Sequence, residues 1–215
     1  METNILNEMK ILLHFIISLL TILNPIEAAA IMLSLIPLST PRRKIHSISL
    51  KASLTVLIAS LLTIFVGNYI FKLFGIDIDS IKVIGGIVLL KIALDMALGK
   101  ISETNHSEEK TEESKEIDDI SIIPLGIPIL FGPGVIATLI VFYEEVSTLL
   151  DLVLLIISIF ISSLTVFYTL KNAVILNRFL GITGIKITAR IMGLIVGAIA
   201  SQFIISGVKA LWNLY

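Results

Sequence analysis

Cysteine is absent from this 215-residue chain, which excludes disulfides, thiolate nucleophiles and cysteine-held metals together. Charge is scarce too. Asp, Glu, Lys and Arg make up 15% of the residues, against about 25% in an ordinary soluble domain. The formal net charge is -1, so there is no basic field of the kind that attracts nucleic acid. The three histidines, His14, His46 and His106, are far apart and form no ligand spacing. The chain has no H-E-x-x-H, no G-x-S-x-G and no pair of aspartates within its apolar runs, so catalysis is not expected. Its first ten residues, METNILNEMK, lack a basic n-region, and no small-residue cleavage site follows. The first apolar run is therefore expected to be retained.

What the chain has is apolar residues: 56% are hydrophobic, and the mean hydropathy is +1.00. Several runs approach the roughly 20 residues needed to cross about 30 Å of hydrocarbon. Six spans are read at about 11–35, 50–71, 81–98, 122–143, 152–170 and 191–211. Backbone groups in lipid must satisfy one another, so these spans are helices rather than open strands. An all-α integral membrane protein of the cytoplasmic membrane is expected.

The one long polar stretch is acidic, without aromatic residues, and reads as a flexible linker over 100–120. It separates a first three-helix repeat, 1–99, from a second, 121–215. The halves match at one offset. Pro25 and Pro133 are 108 positions apart, as are Lys82 and Arg190, Gly85 and Gly193, Ile87 and Ile195, and Val88 and Val196. Three spans per half is an odd number, so a second half of the same fold must enter the membrane from the opposite side. The expected architecture is two inverted-topology three-helix repeats, an arrangement common in secondary transporters. Basic residues cluster on one side, with Arg42, Arg43, Lys44 and Lys51 after span one, Lys100, Lys110 and Lys115 in the linker, and Lys171, Arg178, Lys186 and Arg190 after span five. That bias puts the 100–119 linker in the cytoplasm and both termini outside.

Two spans carry helix breakers in their interiors. Span one reads LNPIEAAAIM around Asn24, Pro25, Ile26 and Glu27. Span four reads PLGIPILFGPG, with Pro124, Pro128, Gly132, Pro133 and Gly134. Proline cannot continue a helix, but it suits the first helical position. Spans one and four should each be two half-helices, the second halves starting near Pro25 and Pro133. Two helix N-termini meeting at the midplane would favour an anionic group such as a carboxylate. Asn24 either caps the half-helix that follows or contacts a substrate. Glu27 either stabilises that helix start or couples transport to a proton or cation. Gly193 and Gly197 form a GxxxG, a signature of close helix packing.

Asn-Pro-Ile in span one, together with P-x-x-x-P-x-x-x-G-P-G over 124–134, resembles the MarC-type integral membrane proteins. Transporting members of that family are the SnatA-like carriers of small neutral amino acids. The resemblance covers essentially all six spans and departs from the pattern at Glu27 and Ala30. It implies a zwitterionic substrate of the glycine and alanine class, with proton or sodium coupling and no bound cofactor. It also implies a site at Asn24, Pro25 and the adjoining Ile26, and at Gly132, Pro133 and Gly134; Glu27 is the candidate coupling residue on its own chemistry, as a carboxylate within the membrane. The alternative is a small-solute channel or pore-forming oligomer, although no ring of like residues or filter signature is evident. Oligomeric state is not legible.

Overall fold

The structure is a computed structural model that describes residues 2–37, 39–99 and 119–212. Residues 100–118 of the expected linker lie outside the described residues. Among those described there are eight α-helices and no strand. Helix α1 (Glu2–Leu23) and helix α2 (Pro25–Leu35) are parted by the single residue Asn24. Helix α3 (Arg42–Leu62) runs through a π-helical turn, Thr63–Gly67, into the short α4 (Asn68–Leu73). Helix α5 is Ile78–Ala97. After a short turn at Asp119–Ser121 comes a second π-helical segment, Leu125–Leu130, and then α6 (Pro133–Glu145). Helices α7 (Leu149–Lys171) and α8 (Ala173–Trp212) complete the chain.

Among the described residues four columns of helix are long and apolar enough to cross a membrane: Leu6–Leu35, Arg42–Leu73, Leu149–Lys171 and Ala173–Trp212. The helices overrun the limits read from hydropathy. Helix α1 starts at Glu2 rather than near 11, α3 at Arg42 rather than near 50, and α8 at Ala173 rather than near 191. Hydropathy marks where lipid begins, whereas a helix ends only where its local hydrogen bonding fails. The 40 residues of α8 would span about 60 Å at 1.5 Å per residue, twice the hydrocarbon thickness. It bends at Gly181, whose φ of 62° and ψ of 178° suit a residue without Cβ. Helix α7 starts cleanly because Thr148 and Asp151 form a reciprocal capping box.

Glycine sets the closest helix contact. Helices α5 and α8 run antiparallel. Gly86 stands over Ala200 and Ile204, Gly193 over Ala93, Met96 and Ala97, and Gly207 over Asp79, Lys82 and Val83. A Cβ at Gly86 would lie 2.8 Å from the Ala200 carbonyl oxygen, and one at Gly207 2.7 Å from that of Asp79. These sites need glycine because the opposing atoms are main chain. The remaining packing exchanges partners in pairs. Helix α3 packs on α7. Helix α1 packs on α7 while the 125–130 segment packs on α3, and α2 packs on α8 while α6 packs on α5. The core is apolar, centred on residues such as Leu19, Met32, Ile48, Leu89, Leu139 and Leu155. Many buried hydroxyls bond a carbonyl of their own helix, as Thr21 does to Ile17, Ser49 to Ile45 and Thr138 to Gly134.

Candidate functional site

The first break is one residue wide. Asn24 has φ 42° and ψ 63°, the left-handed region that asparagine enters more readily than most residues. Helical bonding runs up to it from both sides: the Asn24 N–H donates to the Leu20 carbonyl at 3.0 Å, and the Asn24 carbonyl accepts from the Ala28 N–H at 3.1 Å. One residue thus ends α1 and starts α2, with Pro25 in the first helical position, where its missing N–H costs nothing. The Asn24 side chain stands at the cap position but makes no cap hydrogen bond. Its amide instead donates to the Glu27 carboxylate. Glu27 lies in the first turn of α2, where negative charge faces the positive helix end. Asn24 and Pro25 are buried, while Ile26 and Glu27 are partly covered.

The second break is longer. Pro124 and Pro128 have no N–H to give, and the N–H groups between and after them reach five residues back. Ile127 donates to the Ile122 carbonyl at 2.8 Å, Ile129 to Pro124 at 3.1 Å and Phe131 to Gly126 at 2.9 Å. The resulting wide turn ends at Phe131. Gly132 then caps α6 in extended conformation, with Pro133 again first in the helix. The Gly132 carbonyl accepts from Val135 and Ile136. A Cβ on Gly132 would come 3.0 Å from the Pro128 carbonyl oxygen, so the turn closes tightly there. Gly134 is buried, Gly132 partly covered and Pro133 exposed.

The two breaks are neighbours. A Cβ built on Gly134 would lie 3.7 Å from Ile22, two residues before Asn24, and 2.8 Å from Leu89 of α5. Helix α1 packs on α6, and α2 packs on the 125–130 segment, so the broken columns cross at their interruptions. Helix α6 runs antiparallel to α1. Phe142 stacks 4.8 Å from Phe15 while Gly134 sits near Ile22. Around the first break the packing is closed: Leu23 is 4% exposed, Ala28 2%, Ala29 1% and Met32 0%.

Three serines on α7 did not stand out in the sequence. Ser158, Ser162 and Ser163 are buried among the helices. Ser158 spends its hydroxyl on the Leu155 carbonyl at 2.7 Å, whereas the hydroxyls of Ser162 and Ser163 have no hydrogen-bond partner. The signal was a Ser-Ser pair in the middle of an apolar run, a pattern too common in membrane helices to single out.

A bundle of long apolar helices, two of its columns interrupted and crossing at their breaks, is an integral membrane protein with a polar locus inside it. The chain belongs to the MarC family of integral membrane proteins, whose family model matches residues 9–212. Among its relatives is a UPF0056 membrane protein of Aquifex aeolicus, 35% identical over 91% of this chain and 91% of its own. Another, from Methanocaldococcus jannaschii, is 37% identical over 89% of this chain and 93% of its own. The UPF0056 membrane protein YhcE of Escherichia coli is 31% identical over 92% of each chain. No solved structure matches the chain.

Proposed function

We propose that this protein is a secondary transporter that carries small neutral amino acids, of the glycine and alanine class, across the cytoplasmic membrane by alternating access. The observation that carries the proposal is the crossing of two interrupted helices at their breaks, α1–α2 against the 125–130 segment and α6. Discontinuous helices from two halves, meeting at mid-membrane, are the common construction of a transporter binding site. The exchange of partners in the packing supports two inverted repeats of three spans each. The two self-paired contacts, α3 with α7 and α5 with α8, would straddle the pseudo-twofold axis. The bias of lysine and arginine favours outside termini and a cytoplasmic 100–119 linker.

In this reading Asn24, Pro25 and Ile26 frame the substrate from one side, and Gly132, Pro133 and Gly134 from the other. Glu27, held by Asn24, is the group that would couple transport to protons or sodium. The protein would bind no nucleic acid, catalyse no reaction and need no cofactor. The closed packing around Asn24 favours a carrier, with an occluded state, over a standing pore.

The test is ligand-induced thermal stabilisation of detergent-purified protein across the amino acids, with and without sodium and at two pH values, since a ligand of the folded state raises its stability. Glycine or alanine should raise the melting temperature, and internal unlabelled substrate should accelerate uptake of label into proteoliposomes. Uptake of label indifferent to internal substrate identifies a channel. Absence of binding to any neutral amino acid overturns the proposal.

A further inference from the structure

Helix α7 carries two buried hydroxyls that its own backbone leaves unused. Ser162 is 1% exposed and Ser163 4%, and neither Oγ has a hydrogen-bond partner. Their neighbours one turn away behave differently: Ser158 bonds the Leu155 carbonyl at 2.7 Å, and Thr165 the Ile161 carbonyl at 2.8 Å. Bonding to its own helix is the ordinary way for a serine in an apolar segment to avoid the cost of burial. A pair that forgoes it, side by side, is a polar locus open to another partner.

The pair lies at the depth of the first break. Helix α6 is antiparallel to α1, and Phe142 in its last turn is level with His14 and Phe15, at ring distances of 5.4 and 4.8 Å. Helix α6 ends at Glu145, and after three residues α7 begins at Leu149 and reverses direction, so it runs parallel to α1. Glu145 lies three residues past Phe142, which sets the start of α7 about level with Leu12; Asn24 is 12 residues beyond Leu12, and Ser162 and Ser163 are 13 and 14 residues beyond Leu149. At 1.5 Å per residue these advances are about 18 Å and about 20 Å, so the pair is within about one helical turn of Asn24 in depth. Helix α7 packs against both α1 and α2, so the break between them lies along its inner face.

We infer that Ser162 and Ser163 are substrate-contacting residues, their hydroxyls donating to the carboxylate of the amino acid held at the Asn24 break. This rests on the transporter reading above. Hydroxyls suit the role because each gives one donor and keeps acceptor capacity, without placing a charge in the membrane. Asn24 and Glu27 supply acceptor oxygens for the ammonium end, so the two ends of a zwitterion meet opposite chemistry.

The test compares wild type with Ser162→Ala, Ser163→Ala and the double variant, with Thr165→Ala as a control whose hydroxyl is already bonded. Each purified protein is melted without ligand and titrated with glycine and with alanine. Removing an unpartnered buried hydroxyl should leave the ligand-free melting temperature unchanged or raise it. The double variant should bind glycine at least about tenfold more weakly, the size of effect expected for losing hydrogen bonds to a charged group, while Thr165→Ala binds as wild type does. Wild-type affinity in the double variant overturns the role of the pair and leaves the transporter reading standing. A fall in the ligand-free melting temperature marks the hydroxyls as structural and also overturns it. A wild type that binds neither amino acid overturns both readings.

Discussion

Gly193 and Gly197 stand one turn apart on α8 and form one GxxxG, yet the structure treats them differently. A Cβ on Gly193 would lie 2.8 Å from the Met96 Cβ, 3.0 Å from the Ala93 carbonyl oxygen and 3.0 Å from the Ala97 nitrogen. A Cβ on Gly197 would meet only the Ala93 Cβ, at 3.5 Å. Ordinary contact between carbon atoms is about 3.5–4.0 Å, so alanine fits at 197 and not at 193. The atoms facing Gly193 are two main-chain atoms of α5 and a Cβ fixed directly to that main chain, none of which can swing aside, so α8 would have to retreat along the seam. Overpacking of this kind costs about 1–3 kcal/mol. Replacing a helical glycine with alanine also gains about 1 kcal/mol of helix propensity, but that gain is common to both variants and cancels in their difference. Gly193→Ala should therefore be less stable than Gly197→Ala by about 1–3 kcal/mol, or roughly 2–12 °C in melting temperature for a chain of this size. Gly197→Ala should melt at or above wild type. Fluorescence-detected melting in one detergent, at one protein concentration, measures the difference directly. Equal melting temperatures, or a lower one for Gly197→Ala, would refute the packing argument.

Glu27→Gln keeps an acceptor for the Asn24 amide but cannot ionise. If Glu27 couples transport, the variant should exchange substrate across proteoliposomes and fail to accumulate it against a gradient; normal accumulation removes the coupling role. Tags at both termini should be reached from outside intact cells and a tag at 100–119 only from inside, and labelling of the linker from outside reverses the topology. Asp77 starts α5, and the Asp79 N–H donating to it at 3.0 Å holds its carboxyl below the usual carboxylate range, aided by the Ser80 hydroxyl. A lowered folded-state value contributes stability that is present above the ordinary carboxylate pKa and lost as pH falls through the lowered one. The melting advantage of wild type over Asp77→Ala should accordingly shrink between about pH 7 and about pH 3, and a constant advantage over that range contradicts the assignment.

The starts of α2 and α6 were legible because proline leaves a local mark: a fixed φ and a missing N–H place Pro25 and Pro133 first in a helix. Four of the expected membrane-crossing segments were legible because hydropathy sums over many residues. The helix ends were not, since α8 continues through Arg178, Lys186 and Arg190, and charge alone does not stop a helix. The bond from Asn24 to Glu27 depends on a left-handed backbone angle that asparagine tolerates but does not announce. Composition gave GxxxG one meaning, whereas the register of α5 against α8 gives its two glycines different tasks. The bare hydroxyls of Ser162 and Ser163 differ from their bonded neighbours only in three dimensions.

The packing runs across the molecule more than within either half: α3 is held by α7, α5 by α8 and α6, and α1 and α2 by α7 and α8. A ribosome delivers the first 99 residues to the bilayer well before those partners exist. The early helices must wait as separate inserted rods, their glycine faces covered by lipid, until the later ones arrive and displace it. Residues 1–99 made alone should remain an unassembled set of helices open to membrane proteases, and the same piece made alongside 119–215 should be protected.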